Sequence, residues 1–203
     1  MTDGDPTPAA LRAVCVFCGS SPGADPRFGE AADHLGCVLV EHGIDLVYGG
    51  GHVGLMGRVA DTVLAAGGEV HGVITAALRD REVAHAGLTR LDVVDTMHQR
   101  KARMADLADG FVMLPGGFGT LDEFFEAVTW SQLGIHAKPC AVLDVGGFFR
   151  PLVDFLDAAT DGRFIRPEHR DTVIVGDEPA QLLRRMAEWS PASTRKWLDR
   201  DDR

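Results

Sequence analysis

Residues 110–123 run Gly110-Phe111-Val112-Met113-Leu114-Pro115-Gly116-Gly117-Phe118-Gly119-Thr120-Leu121-Asp122-Glu123. The apolar run Gly110–Leu114 has the length of a buried strand, and the residues over 120–134 have a helical pattern. Between them lies a turn with three glycines. The unit therefore reads as strand, glycine turn, helix. The first N–H groups of such a helix lack partners and sit at the positive end of its dipole, which makes the turn a ready anion site. Thr120 can cap the helix and offer a hydroxyl to a phosphate. Thr120-x-x-Glu123 also spells a capping box, in which the Glu123 side chain accepts from the Thr120 backbone N–H. The anion cradle and the plain helix start both stand at this point. A carboxylate beside a bound phosphate is repelled unless it faces another part of the ligand, such as a ribose.

The same unit recurs along the chain. Apolar runs occupy 13–19, 45–50, 70–75, 91–95, 110–114, 140–145 and 172–175. They are rich in Val, Leu, Ile and Phe and mostly lack clean alternation, as parallel strands covered on both faces do. Helical patterns fill 25–43, 54–67, 97–109, 120–134, 149–160 and 178–189, and Gly43, Gly67 and Gly134 mark helix ends. This alternation predicts an α/β fold, a doubly wound and mainly parallel sheet of about seven strands, with ligands bound beyond the strands' carboxyl ends. No internal repeat or linker interrupts it. The organisation expected is a disordered leader over 1–11, one domain over 12–190 and a charged tail over 191–203.

Composition narrows the class. The chain has 203 residues, 45% of them apolar, enough for a core without disulfide or metal staples. A net charge of -10 argues against polymeric nucleic acid and against an anionic membrane surface. It leaves room for a small anion at a local positive site. No apolar run approaches the ~18 residues of a membrane span, and the first residues lack a signal-peptide pattern, so a cytoplasmic location is expected. Cys15 and Cys18 form a C-x-x-C, but positions three apart on a strand point to opposite faces. The eight histidines show no metal-ligand spacing, and no metal site is expected. Glycine is in excess, 24 residues against a usual share of ~7%.

That excess gathers at strand ends. Gly19-Ser20-Ser21 follows the first strand, Gly49-Gly50-Gly51-His52-Val53-Gly54 the second, and the Pro115–Gly119 turn the fifth. The second turn fits G-x-G-x-x-G, yet Thr75 and Ala76 stand where a dinucleotide site needs an acid for the ribose. It serves either a phosphate or ribose contact or a tight helix-packing turn. Gly19, Ser20, Gly50 and Gly51 are accordingly additional candidate phosphate or ribose contacts. On helix 97–109, Met97, Met104 and Leu107 form one stripe that includes Arg100. An inward arginine near a helix N-terminus needs an anionic partner, either a protein carboxylate or a ligand. Lys101 flanks it, while Gln99, Arg103 and Asp106 fall on the solvent face. The charged segment 76–89 reads either as a lid or as a solvated face.

With these residues assembled, the chain resembles the Lonely Guy (LOG) family over about residues 12–190. One family motif, P-G-G-x-G-T-x-x-E, stands as Pro115 to Glu123, and another, M-x-x-R-K, as Met97 to Lys101. The run from Thr129 to His136 with Lys138 and Pro139 is also family-like. The resemblance implies a Rossmann-like three-layer sandwich and usually a homodimer. It also implies hydrolysis of the N-glycosidic bond of (N6-substituted) adenosine 5′-monophosphates, giving a free base such as a cytokinin and ribose 5-phosphate. It further implies Arg100 and Glu123 as the catalytic pair, with no cofactor. The substrate contacts implied are Glu82, Arg100, Lys101, the turn and helix residues Gly116, Gly117, Phe118, Gly119, Thr120, Leu121, Asp122 and Glu123, and Thr129. Two other classes remain open on the residues alone. One is a nucleotide-binding regulatory protein without turnover. The other is a pyridoxal-phosphate lysine decarboxylase, for which Lys101 is the lysine in the cleft.

Overall fold

A computed structural model describes residues 11–81 and 83–191. The expected leader apart from Leu11, the Glu82 assignment and the tail beyond Pro191 lie outside the described residues. Seven strands form where the apolar runs predict them: β1 Ala13–Phe17, β2 Asp45–Tyr48, β3 Val70–Thr75, β4 Arg90–Val94, β5 Gly110–Met113, β6 Cys140–Leu143 and β7 Val173–Gly176. They make one sheet in the order β4-β3-β2-β1-β5-β6-β7, and every pair is parallel. Parallel neighbours need crossovers, and helices supply them: α1 Pro26–Glu41, α2 Gly54–Ala65, α3 Ala76–Arg79, α4 Met97–Leu107, α5 Phe118–Gln132, α6 Arg150–Asp161, α7 Pro167–Arg170 and α8 Pro179–Glu188.

The strands are apolar on both sides because both sides are covered. Val14, Val16 and Cys18 pack with Leu35 and Leu39 of α1, Val59 and Val63 of α2, and Leu182 and Met186 of α8. Cys15 and Phe17 point the other way, toward Met104 of α4 and Phe124 and Ala127 of α5. Cys15 and Cys18 are thus split across the sheet, and both are free thiols. Each fully buried Leu or Phe stabilises the fold by ~1.5–3 kcal/mol. Gly43, Gly67 and Gly134 all take positive φ just past α1, α2 and α5, where the chain must turn out of the helix.

The strand order reverses between β1 and β5. Doubly wound sheets open a crevice at such a reversal, beyond the carboxyl ends. The loops after β1 and β5 meet there, and the Gly19 N–H donates to the Pro115 carbonyl at 3.0 Å.

Two local expectations are corrected. Helix α5 starts at Phe118 with Gly117 as its N-cap, and no side chain caps it. Thr120 is therefore already the third helical residue, and no capping box forms with Glu123. The reason is steric and local. The Thr120 hydroxyl and Cβ pack against Gly116, which draws Thr120 inside the first turn. A capping box does form elsewhere, at Thr96 and Gln99 of α4. The second correction is Met97, which lies at the first position of α4 and is 44% exposed rather than buried in the Met104 stripe.

Candidate active site

Helix α4 runs under the sheet and carries Arg100 inward. Its side chain is buried and every nitrogen donates. Nη1 donates to Glu123 Oε1 at 2.6 Å, Nε to the Val73 carbonyl at 2.9 Å, and Nη2 to the Gly49 carbonyl at 3.1 Å. The Gly49 carbonyl lies just past the end of β2, and the Val73 carbonyl lies within β3, two residues before its end. The anionic partner that sequence demanded for Arg100 is thus Glu123, one helical turn into α5. Burial pushes the Glu123 carboxyl above its ordinary range, and the Arg100 charge and hydrogen bond only partly offset this.

In front of that pair lies the exposed lip of α5. Gly117, Phe118 and Gly119 are exposed while Thr120 is buried. A side chain at Gly117 or Gly119 would meet open space, whereas a Cβ at Gly116 would lie 2.1 Å from Thr120 Oγ1. The N–H groups of the first turn have no side-chain cap. Gly19, Ser20, Gly116 and Gly117 come together around a crevice of about 270 Å³, which Phe28, Leu55 and Phe148 also line.

Lys101 turns to the outer face of α5. Its ammonium pairs with Asp122 and Glu126, each at 3.1 Å. Its burial favours the neutral amine, but these two carboxylates outweigh that and hold its pKa above the ordinary value. Thr129 lies one turn further along α5 and donates to the Phe125 carbonyl at 2.7 Å. Leu121, Asp122, Thr129, Trp130 and Leu133 line an open groove of about 600 Å³ that begins at Phe118.

Gly50 and Gly51 are placed differently. Segment 76–89 neither stays wholly in solvent nor hangs free as a lid. Its charged part, Arg79 to Arg81, is exposed, but the following residues dock on the second glycine turn. His85 N–H donates to the Gly50 carbonyl at 2.9 Å and His52 N–H to the Val83 carbonyl at 3.0 Å, and Gly51 bridges Ala84. The His85 ring holds Asp61 of α2 at 2.9 Å. The turn after β2 thus seats a strap beside the site.

Sequence reasoning missed three participants. These are the Gly49 and Val73 carbonyls that hold Arg100, and Glu126, which shares Lys101 with Asp122. Glu126 was findable, since it lies four residues after Asp122 on the same helix face. Backbone carbonyls carry no residue-type signal. Among the described residues no three His, Cys, Asp or Glu side chains gather as a metal site.

Chemically, the arrangement offers uncapped N–H groups for an anion and, one turn behind them, a buried carboxylate for developing positive charge. A family model described as "Possible lysine decarboxylase" matches residues 56–186. The cytokinin riboside 5′-monophosphate phosphoribohydrolase LOG7 of Arabidopsis thaliana is 47% identical over 185 residues, covering 91% of this chain and 85% of the relative. The probable cytokinin riboside 5′-monophosphate phosphoribohydrolase LOGL2 of Oryza sativa subsp. japonica is 46% identical, covering 92% and 79% respectively. In fold, the chain is similar to the molybdenum cofactor binding protein of Rippkaea orientalis. That match has a TM-score of 0.67 at 18% identity and covers 89% of this chain and 98% of the other. Together, the family model and the relatives near half identity show that the chain belongs to the Lonely Guy (LOG) family.

Proposed function

We propose that this protein is a nucleotide-binding enzyme that hydrolyses the N-glycosidic bond of N6-substituted adenosine 5′-monophosphates to a free base, a cytokinin, and ribose 5-phosphate. The observation that carries this reading is the Arg100–Glu123 pair, set one turn behind an uncapped helix N-terminus. The relatives named above as phosphoribohydrolases support the same reaction. The N–H groups of Gly117 to Thr120 hold the 5′-phosphate. Gly116 stays bare so that Thr120 can pack behind the cradle, and Gly19 and Ser20 border the phosphate side. The ribose then lies over Glu123. As the C1′–N bond breaks, its electron pair goes to the base and positive charge grows near C1′, as in other glycosidic cleavages. The Glu123 carboxylate stabilises that charge. A water oxygen bonds to C1′, and of its two protons one stays on the new hydroxyl and the other balances the departing base. Arg100 keeps Glu123 ionised and oriented. Lys101, Asp122 and Thr129 border the side on which the base leaves.

We further propose a single catalytic domain over 12–190, a cytoplasmic location and a homodimer. Four free cysteines fit a reducing compartment, and among the described residues no helix is long and apolar enough to cross a membrane. Met97, Phe118, Leu133 and Ile135 are exposed apolar side chains on α4, α5 and the loop that follows. They line a face that a second copy would cover. The decarboxylase reading is disfavoured by the state of Lys101. A Schiff base needs a neutral amine, and Asp122 and Glu126 hold this one as the cation.

Incubation with AMP and with N6-isopentenyl-AMP, followed by chromatography, tests the reading. Free base should appear from the nucleotide. Tight nucleotide binding without base release would instead indicate a regulatory protein.

A further inference from the structure

The guanidinium of Arg100 is held from behind by main chain, and one residue there is in van der Waals conflict with any side chain of its own. A Cβ at Gly49 would lie 1.9 Å from Arg100 Nη2 and 3.2 Å from its Cζ. Neighbouring glycines are glycine for backbone reasons, since Gly50 has φ 73° and Gly54 φ 60°. Gly49 is not among the positive-φ residues, so its backbone would accept alanine. What excludes a side chain there is the guanidinium, with a methionine sulfur, that of Met56, the next atom at 3.5 Å.

We infer that Gly49 is a positioning residue for Arg100. Its missing side chain is the space in which Nη2 lies, and its carbonyl is one of the two that hold the guanidinium. Through Arg100 it sets where the Glu123 carboxylate stands relative to the exposed N–H groups of α5. The catalytic consequence rests on the proposed function, whereas the seat itself does not. A methyl at Gly49 meets the far end of a long side chain, so Arg100 swings aside before the backbone gives. It cannot move without losing hydrogen bonds to Gly49, Val73 and Glu123. The Glu123 carboxyl feels Arg100 and Lys101 from α4 and Asp122 from its own helix, and lies within electrostatic reach of the Cys15 thiol on β1 and the Cys18 thiol just past it. Arg100 is the strongest influence lowering its pKa. Displacing Arg100 therefore raises the Glu123 pKa further.

The test uses the full chain, with N6-isopentenyl-AMP as substrate, in four forms: wild type, Gly49→Ala, Arg100→Lys and the double variant. Gly49→Ala should lower kcat ~10²-fold, the usual scale for a misplacement of about 1 Å. The acid limb of its pH–rate profile should move to higher pH, which a purely structural weakening would not cause. In thermal unfolding, Gly49→Ala should lower the midpoint when residue 100 is arginine. It should leave the midpoint unchanged in the Arg100→Lys background, because lysine has no Nη2 to displace. Wild-type kcat with an unmoved acid limb in Gly49→Ala would overturn the inference. So would an equal fall in midpoint in both backgrounds, a comparison that needs no activity. Absence of base release by the wild type would count against the proposed function alone.

Discussion

In the proposed mechanism the chemistry turns on Glu123, and its surroundings determine how it should respond to change. It is ion-paired at 2.6 Å to a buried arginine and is not part of a helix cap. Glu123→Gln should lower kcat by ~10²–10⁴-fold, the scale of a positioned acid or base. Because the folded state raises the Glu123 pKa and so favours an uncharged carboxyl over a charged one, Glu123→Gln should change stability little in denaturant unfolding. A variant as active as wild type would remove Glu123 from the mechanism. Because burial raises its pKa, the acid limb of the pH–rate profile should lie above the ordinary glutamate value of about 4.3. For stability the sign is opposite to that of a salt-bridged surface acid. With the folded pKa above the unfolded one, the contribution of Glu123 is fully present below the unfolded pKa and fades as pH rises through the folded value. The need of Arg100 for an anion was legible from its place on an apolar stripe. Spacing alone did not name that anion, because Thr120-x-x-Glu123 also spells a local cap; the family resemblance paired Arg100 with Glu123, and the approach of α4 to α5 brings the two to 2.6 Å.

At the scale of elements, the glycine turn before α5 should show two kinds of glycine. Gly116 is sterically required, since its Cβ would meet Thr120 Oγ1 at 2.1 Å and the Gly19 backbone nitrogen at 2.9 Å. Gly116→Ala should cost ~1–3 kcal/mol through overpacking and disturb the cradle. Gly119→Ala lies in the helix with open space around it. It should raise stability by up to ~1 kcal/mol through helix propensity while raising KM, because a methyl stands on the phosphate lip. Unfolding curves and KM for the 5′-monophosphate separate the two effects. Equal loss of stability in both variants would contradict this division. Strands were the most legible elements, since a run such as Val70–Thr75 buried on two faces has no polar alternation to confuse it. Helix ends were less legible, since the patterns over 25–43, 54–67, 97–109 and 120–134 each run two residues past the observed end. The start of α5 moved two residues toward Phe118 because packing of Thr120 on Gly116 outweighed the cap signature. The docking of Val83–His85 on the Gly50 turn was not legible, because it uses main-chain groups alone.

At the scale of the molecule, the order β4-β3-β2-β1-β5-β6-β7 brings turns far apart in sequence to one edge. The fold class followed from the repeated alternation of strand and helix, but the strand order did not, since nothing in β5 itself says that it lies beside β1. The net charge of -10 coexists with an anionic ligand because the positive end of α5 is local. The exposed apolar face on α4 and α5 is the proposed homodimer contact. Leu133, 58% exposed, should tolerate Leu133→Asp as a folded protein that sediments as a monomer. An unchanged sedimentation coefficient, or a monomeric wild type, would reject that face as the contact.

In the proposed reaction an α5 phosphate cradle and the Arg100–Glu123 pair together cleave a nucleotide's glycosidic bond. This is tested most directly by comparing kcat/KM for base release from N6-isopentenyl-AMP and from its riboside. Free base and ribose 5-phosphate should appear in equal amounts from the 5′-monophosphate, and the rate on the riboside should be lower by at least ~10²-fold, the scale of a lost anchoring interaction. Equal rates on the two substrates, or no base from either, would contradict it.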